Sequence, residues 1–247
     1  ENRSSYQGQV TTLHDAIESP KKDGFYLVGK AVGTFNNQAS QSSDSYYDAS
    51  SFIAFTDNNG KLIWSKLFGG GSFEEIYSVK ISSKGDLYAV GMNQNGAFIH
   101  KFDANGNSIL KKQIGGGQFS RAYDLSIDRH DNIYVIGHSP HSVNGVRAKY
   151  STDNFITKYN TNLGRAWTKR PDTNNGPNGG NHIVTSDSGN VFSIIKISSG
   201  SQGYRRYFFG FDTNGNELFK KLLDRRNSTI TDLLYLEEPK LVVCIGT

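Results

Sequence analysis

The sequence predicts an all-β chain: a five-bladed β-propeller of four-stranded antiparallel blades, with its last blade incomplete. Three observations lead there. The stretch FIHKFDANGNSILKKQIGGG, residues 98–117, recurs without gaps as FIAFTDNNGKLIWSKLFGGG from Phe52, FITKYNTNLGRAWTKR from Phe155 and YFFGFDTNGNELFKKLLD from Tyr207. A second hairpin pattern lies upstream of each copy, clearest in IYSVKISSKGDLYAVG from Ile76 and AYDLSIDRHDNIYVIG from Ala122. No helical periodicity interrupts them. The unit is therefore four strands in roughly 45–60 residues, the length of a propeller blade.

The downstream hairpin is read column by column. Phe52, Phe98, Phe155 and Tyr207 open it, and Asp57, Asp103, Asn160 and Asp212 begin the tetrad that bends it. Asp and Asn bond their own backbone, and the Gly that follows in three copies accepts positive φ, so D-x-N-G is a tight turn. The flanks are aromatic and β-branched, as strands require. Upstream, the second strands align on Tyr26, Tyr88, Tyr134, Phe192 and Val243.

In chain order, residues 1–9 are a polar arm without a repeat. The blades are expected at 10–69, 76–114, 122–170, 181–223 and 230–247, within one domain spanning 1–247. The first carries an insertion at 34–50 and the third another at 138–153. The fourth has SSGSQGYRR ahead of Tyr207. The fifth holds two strands. It is completed by the N-terminal arm or by a chain continuing past Thr247, or the assembly is open or paired. Four blades with an extra closing hairpin is the alternative count.

The consensus YSxxxxxxGxxYxxG followed by F(I/V)xKxDxNGNxxWxKxxGGG resembles the bacterial beta-propeller repeats known as SBBP repeats. The resemblance covers most of the chain and is best in the second and third units. It implies a propeller and brings no catalytic motif. It also implies export, to a secreted, periplasmic or cell-surface location, because such repeats are commonly carried by exported bacterial proteins. The chain starts at Glu1, which fits a cleaved signal peptide or a trimmed chain.

Composition sets limits. One cysteine, Cys244, rules out an intrachain disulfide, and its neighbours Val243 and Ile245 predict a packed core thiol. The apolar runs are far too short to span a bilayer. The net charge of +4 invites a nucleic-acid reading. Yet Lys66, Lys111, Lys112, Lys169, Lys220 and Lys221 all fall in the last strand of a unit. On a blade's outer edge, lysines block pairing with other chains. A nucleic-acid groove needs aromatics interleaved with cations, so no nucleic acid is expected.

The insertions lie between second and third strands, and the other variable loops lie between blades. With alternating strand directions both emerge at one face, while the opposite face has short, uniform turns. Function is expected on the diverse face. It offers Tyr46, Tyr47, Phe73, Glu75, Phe119, Arg121, His138, His141, Arg147, Tyr150, Asn178, Tyr204, Arg205 and Arg206, with Asp44 and Glu74 beside them. Flat rings with Arg and Asn donors suit a glycan or protein ligand. The expectation is a non-catalytic binding module. The alternatives are an interaction scaffold in a larger surface assembly and a glycosidase-like enzyme whose carboxylates face a central channel. Candidates for that channel are Asp15, Lys80, Asp124 and Asp232, in partly matching positions.

Other chemistry is not expected. His138 and His141 stand three apart, but no further histidine supplies zinc-site spacing. The tetrads lack the oxygen ligands and late acid of a calcium loop. The Gly69 and Gly115 runs precede strands, so they are not phosphate loops. No cofactor is implied.

Overall fold

The computed structural model describes residues 10–36, 38–39, 49–69, 73–149, 152–172, 182–198, 204–224 and 230–246. The chain falls into two compact units, Glu1–Gln113 and Ile114–Thr247.

In the first unit, β1 (Val10–Glu18) and β2 (Gly24–Val32) are followed by a two-residue hairpin, β3 (Thr34–Phe35) with β4 (Gln38–Ala39). The chain then returns as β5 (Ser50–Asp57) and β6 (Leu62–Phe68), giving a sheet ordered β1-β2-β5-β6. A second meander follows: β7 (Glu74–Ile81), β8 (Leu87–Asn93), β9 (Gly96–Phe102) and β10 (Ser108–Gln113). The second unit repeats the plan twice. Its first sheet is β11 (Arg121–Ile127), β12 (Ile133–Ser139), β13 (Asp153–Tyr159) and β14 (Arg165–Lys169). The next is β15 (His182–Thr185), β16 (Val191–Ser198), β17 (Tyr204–Phe211) and β18 (Glu217–Asp224). β19 (Ile230–Leu236) and β20 (Leu241–Gly246) form a two-stranded sheet. All neighbours are antiparallel, and no helix occurs among the described residues. The fold class is the five-bladed β-propeller: among the described residues, four four-stranded blades and a fifth of two strands.

The tetrads turn as their side chains dictate. Asp103 Oδ1 accepts the Asn105 N–H at 2.9 Å and the Asn107 N–H at 2.8 Å. Asp57, Asn160 and Asp212 make the same pair of bonds. The turn needs a left-handed residue, supplied by Gly60, Gly106 and Gly215, and in the third copy by Leu163 at φ 56°. Leu163 is 1% exposed, so burial of its side chain offsets a backbone cost of about 1–2 kcal/mol.

Sheets pack through these turns. Trp64 lies over Gly106, where an added Cβ would fall 2.6 Å from the ring. Trp167 covers Gly215 in the second unit and donates Nε1–H to the Thr213 carbonyl at 3.0 Å. Apolar side chains fill the space between. Val28, Ile53, Ile76 and Phe98 share one core cluster, and Ile136, Ile156, Ile195 and Phe209 another. The third strands β5, β9 and β13 are buried almost throughout, whereas β10 is exposed along most of its length. β6, β10, β14 and β18 are sheet edges and carry the six predicted lysines. Several of these lysines are also tied down. Lys66 donates to Asn107 Oδ1 at 2.5 Å, Lys220 to the Asp172 carbonyl at 2.6 Å, and Lys111 pairs with Glu74.

Every first strand except β15 bulges, after Leu13, Ile76, Ala122 and Ile230. The residue after the bulge is Asp15, Ser78, Asp124 and Asp232. Lys80 therefore does not belong to the column in which the sequence reading placed it. Asp15 Oδ2 accepts the Val79 N–H at 2.9 Å and the Ser78 hydroxyl at 2.9 Å, and Asp124 Oδ2 accepts the Ile183 N–H at 3.1 Å. These carboxylates join one sheet to the first strand of the next. Cys244 also departs from expectation: it is exposed. Its register equivalents Ala89 and Val135 are fully buried, each in a four-stranded sheet, while Cys244 lies in a two-stranded one among the described residues.

Candidate binding face

Meander topology puts the β2–β5, β12–β13 and β16–β17 connections at the same sheet ends as the links from one sheet to the next, as expected. In the second unit the link before β11 and the described part of the β12–β13 connection form a braced platform. Val143 bridges Gly115 and Val146, and the Asn144 N–H donates to the Ile114 carbonyl at 3.3 Å. Ser120 and Ser139 hydroxyls meet at 2.8 Å, and Ser139 Oγ accepts the His141 N–H at 3.0 Å. Arg170, just after β14, satisfies four carbonyls with one guanidinium: His141 and Val146 in the loop, Ser139 at the end of β12 and Asp153 at the start of β13. His141 itself packs over Gly117, where an added Cβ would fall 2.5 Å from its ring, and Gly117 also has a left-handed φ of 87°.

Phe119 is displayed on this platform. It is 67% exposed with a φ of 73°, a left-handed backbone unusual for a bulky residue. His138 holds it, because its ring bonds the Phe119 backbone carbonyl. His138 Nδ1 also takes the Tyr123 hydroxyl at 3.2 Å, with the rings edge to face. Tyr123 is the bulged residue of β11, and the bulge turns its side chain toward His138. Arg121 pairs in register with His138 and bonds the Tyr123 hydroxyl. Burial and the Arg121 charge push the His138 pKa down to about 4, so the imidazole is neutral near pH 7.

Four of the residues singled out in the sequence thus share one place: Phe119, Arg121, His138 and His141. Arg147 is exposed on the same insertion. Tyr123 and Arg170 belong to the site and were missed. Tyr123 looked like an ordinary strand aromatic, and nothing local marks Arg170 as a bracket. Tyr46, Tyr47, Tyr150 and Asn178, with Asp44, lie outside the described residues. Tyr204 opens β17 opposite Ser198, Arg205 is partly buried and Arg206 is buried.

The first unit uses the matching positions differently. Phe73 is partly buried just before β7. Glu75, opposite Met92 as Arg121 is opposite His138, is buried under His14, Lys30 and Tyr77. His14 Nε2 donates to Glu75 Oε1 at 2.6 Å, Lys30 Nζ lies 3.0 Å from the same oxygen, and the Tyr77 hydroxyl donates to Oε2 at 3.0 Å. Burial alone would raise the Glu75 pKa, but the bonds from His14 and Lys30 outweigh it and hold the carboxyl below its ordinary value. Glu74 is buried beside it and accepts the Ser51 hydroxyl at 2.8 Å. Both acids thus join the two sheets. Among the described residues no cluster of three His, Cys, Asp or Glu side chains could hold a metal ion.

No protein-family model matches the chain, and no curated protein matches it either. Solved structures do. A proposed 6-phosphogluconolactonase from Bacteroides fragilis is similar over 93% of this chain and 75% of its own, at a TM-score of 0.55 and 13% identity. A structure of the mitotic checkpoint complex is similar over 95% of this chain and 72% of its own, at 0.51 and 10%. The Dos1 propeller covers 95% and 75%, at 0.46 and 9%. At such identities the likeness concerns the fold.

Proposed function

We propose that this chain is a non-catalytic binding module of an exported bacterial protein, recognising a glycan or protein ligand through the loop face of its propeller. Export is inferred from the resemblance to SBBP repeats. One observation carries the binding reading: Phe119 is kept two-thirds exposed in a left-handed backbone by a partly buried hydrogen-bond chain from His138 to Tyr123 and Arg121. Backbone strain around an exposed ring is characteristic of ligand contacts. The test is a glycan-array and pull-down screen with the chain and its Phe119→Ala variant. Ligand captured by the chain and lost in the variant is the expected result. Equal capture by both would move the site elsewhere.

A second reading, an interaction scaffold in a surface assembly, is favoured by a repeated feature of the edge strands. Ile63, Ile109 and Leu218 are the bulged residues of β6, β10 and β18, and are 53%, 52% and 55% exposed. On that reading Ile109→Lys abolishes capture of a protein partner and Phe119→Ala does not.

A further inference from the structure

We infer that the ligand of the Phe119 face is an acidic glycan, its sugar ring stacked on Phe119 and its carboxylate held by Arg121. The inference rests on the binding reading above and names its ligand class. Phe119 supplies a flat apolar plate to which the C–H face of a sugar can stack. Arg121 stands two residues on, at the start of β11. Both meet His138, Phe119 through its backbone carbonyl and Arg121 through strand register. A guanidinium has five donors in a planar fork. The Tyr123 hydroxyl bonds and so anchors that fork, and a planar fork suits bidentate capture of a carboxylate.

The surrounding charges point the same way. Arg147 is exposed on the insertion, while the charge of Lys149 beside it is offset by Asp172. The acids of the same loops are committed to the platform itself. Asp153 accepts the Lys149 N–H, and Asp172 lies 3.6 Å from the Lys149 ammonium. His138 presents a neutral edge near pH 7, which leaves the local field to the cations. A neutral sugar would offer the guanidinium only hydroxyl acceptors, which are weaker partners for it than a carboxylate.

The deciding experiment is calorimetric titration of the whole chain with an oligogalacturonate, with sialyllactose, and with the methyl ester of each. An array of neutral glycans runs beside it. At least one acid form should bind, with its affinity falling about tenfold or more on esterification. Arg121→Met should bring the acid form down to the level of its ester. Arg121→Lys keeps the charge but loses the fork, and should fall between the two. Arg129→Met, in the β11–β12 turn, should bind as the parent does. Melting temperatures would confirm that each variant is folded. Equal binding of acid and ester, or binding only of neutral glycans in a Phe119-dependent way, would overturn the acidic ligand and leave the binding face standing. No binding to any acidic or neutral glycan would overturn this inference, and the proposed face would then stand or fall on its Phe119-dependent protein capture.

Discussion

Phe119 holds a conformation that glycine would adopt more easily. Phe119→Gly should therefore leave stability unchanged or raise it by up to about 1 kcal/mol, since relief of the left-handed backbone opposes the entropy of glycine. The same variant should lose ligand binding. A urea midpoint that drops instead would mean that the ring packs structurally. Gly60 and Gly106 offer a matched pair at the same turn position, with φ of 79° and 71°. Nothing lies within 4 Å of a Cβ at Gly60, whereas one at Gly106 would strike Trp64. Gly60→Ala is expected to cost about 1 kcal/mol from backbone alone, and Gly106→Ala about 1–3 kcal/mol more from overpacking. Equal melting temperatures would remove Trp64 from the account. Two histidines, His100 buried and His138 partly buried, set the acid response. Burial, with Lys111 nearby, pushes His100 down to about 3, and burial with Arg121 pushes His138 to about 4. Both folded values lie below the ordinary 6.5, so the unfolded chain takes up protons first as pH falls. Their contribution is fully present above about pH 6.5 and is lost progressively toward pH 4 and 3, by a few kcal/mol in all. Urea denaturation from pH 7 to 4 should show the decline, shallower in His100→Phe.

At the scale of elements, the bulge in the first strand has a repeated role. It brings an aspartate to cap its own strand and to reach the next. Asp15 Oδ1 accepts the Ala16 N–H at 2.8 Å and Asp124 Oδ1 the Leu125 N–H at 2.8 Å, while the second oxygens take Val79 and Ile183. Asp15→Ala would leave the Val79 N–H and the Ser78 hydroxyl without that acceptor. A loss of about 1–3 kcal/mol is expected, measured by equilibrium unfolding. If Asp15→Ala unfolds like the parent, the carboxylate does not tie the sheets. The column was legible from the sequence as three aspartates, but its purpose was not. The Val79 N–H that Asp15 accepts lies 64 residues away. The tetrad turns, by contrast, were fully legible, because Asp103 bonds residues two and four positions on. Glu75 was misread as surface for the same reason as Asp15: His14, 61 residues earlier, supplies its partner atom.

For the whole molecule, the net charge of +4 bears on encounter rather than on fold. Binding of an acidic glycan should weaken from 0.05 to 0.5 M salt, because the Debye length shrinks over that range from about 14 to 4 Å. Salt-independent affinity in the same titration would assign the energy to Phe119 stacking alone. The sequence by itself determined the all-β class, the repeated four-stranded sheets, the edge lysines and the end of the sheets at which loops diverge. Those follow from local rules: alternation along strands, Asx bonding in turns, and a repeat that places like residues at like positions. Only the tertiary structure decided which loop residues come together at the candidate face. Phe119, Arg121, Tyr123 and His138 come from a link between sheets and from two strands, joined by a bulge and strand pairing. Arg170 braces the platform from just after a third strand. Glu75, at the matching position one sheet earlier, is buried beneath its neighbours. Cross-strand and cross-sheet partners decide such outcomes, and no window of neighbouring residues contains them.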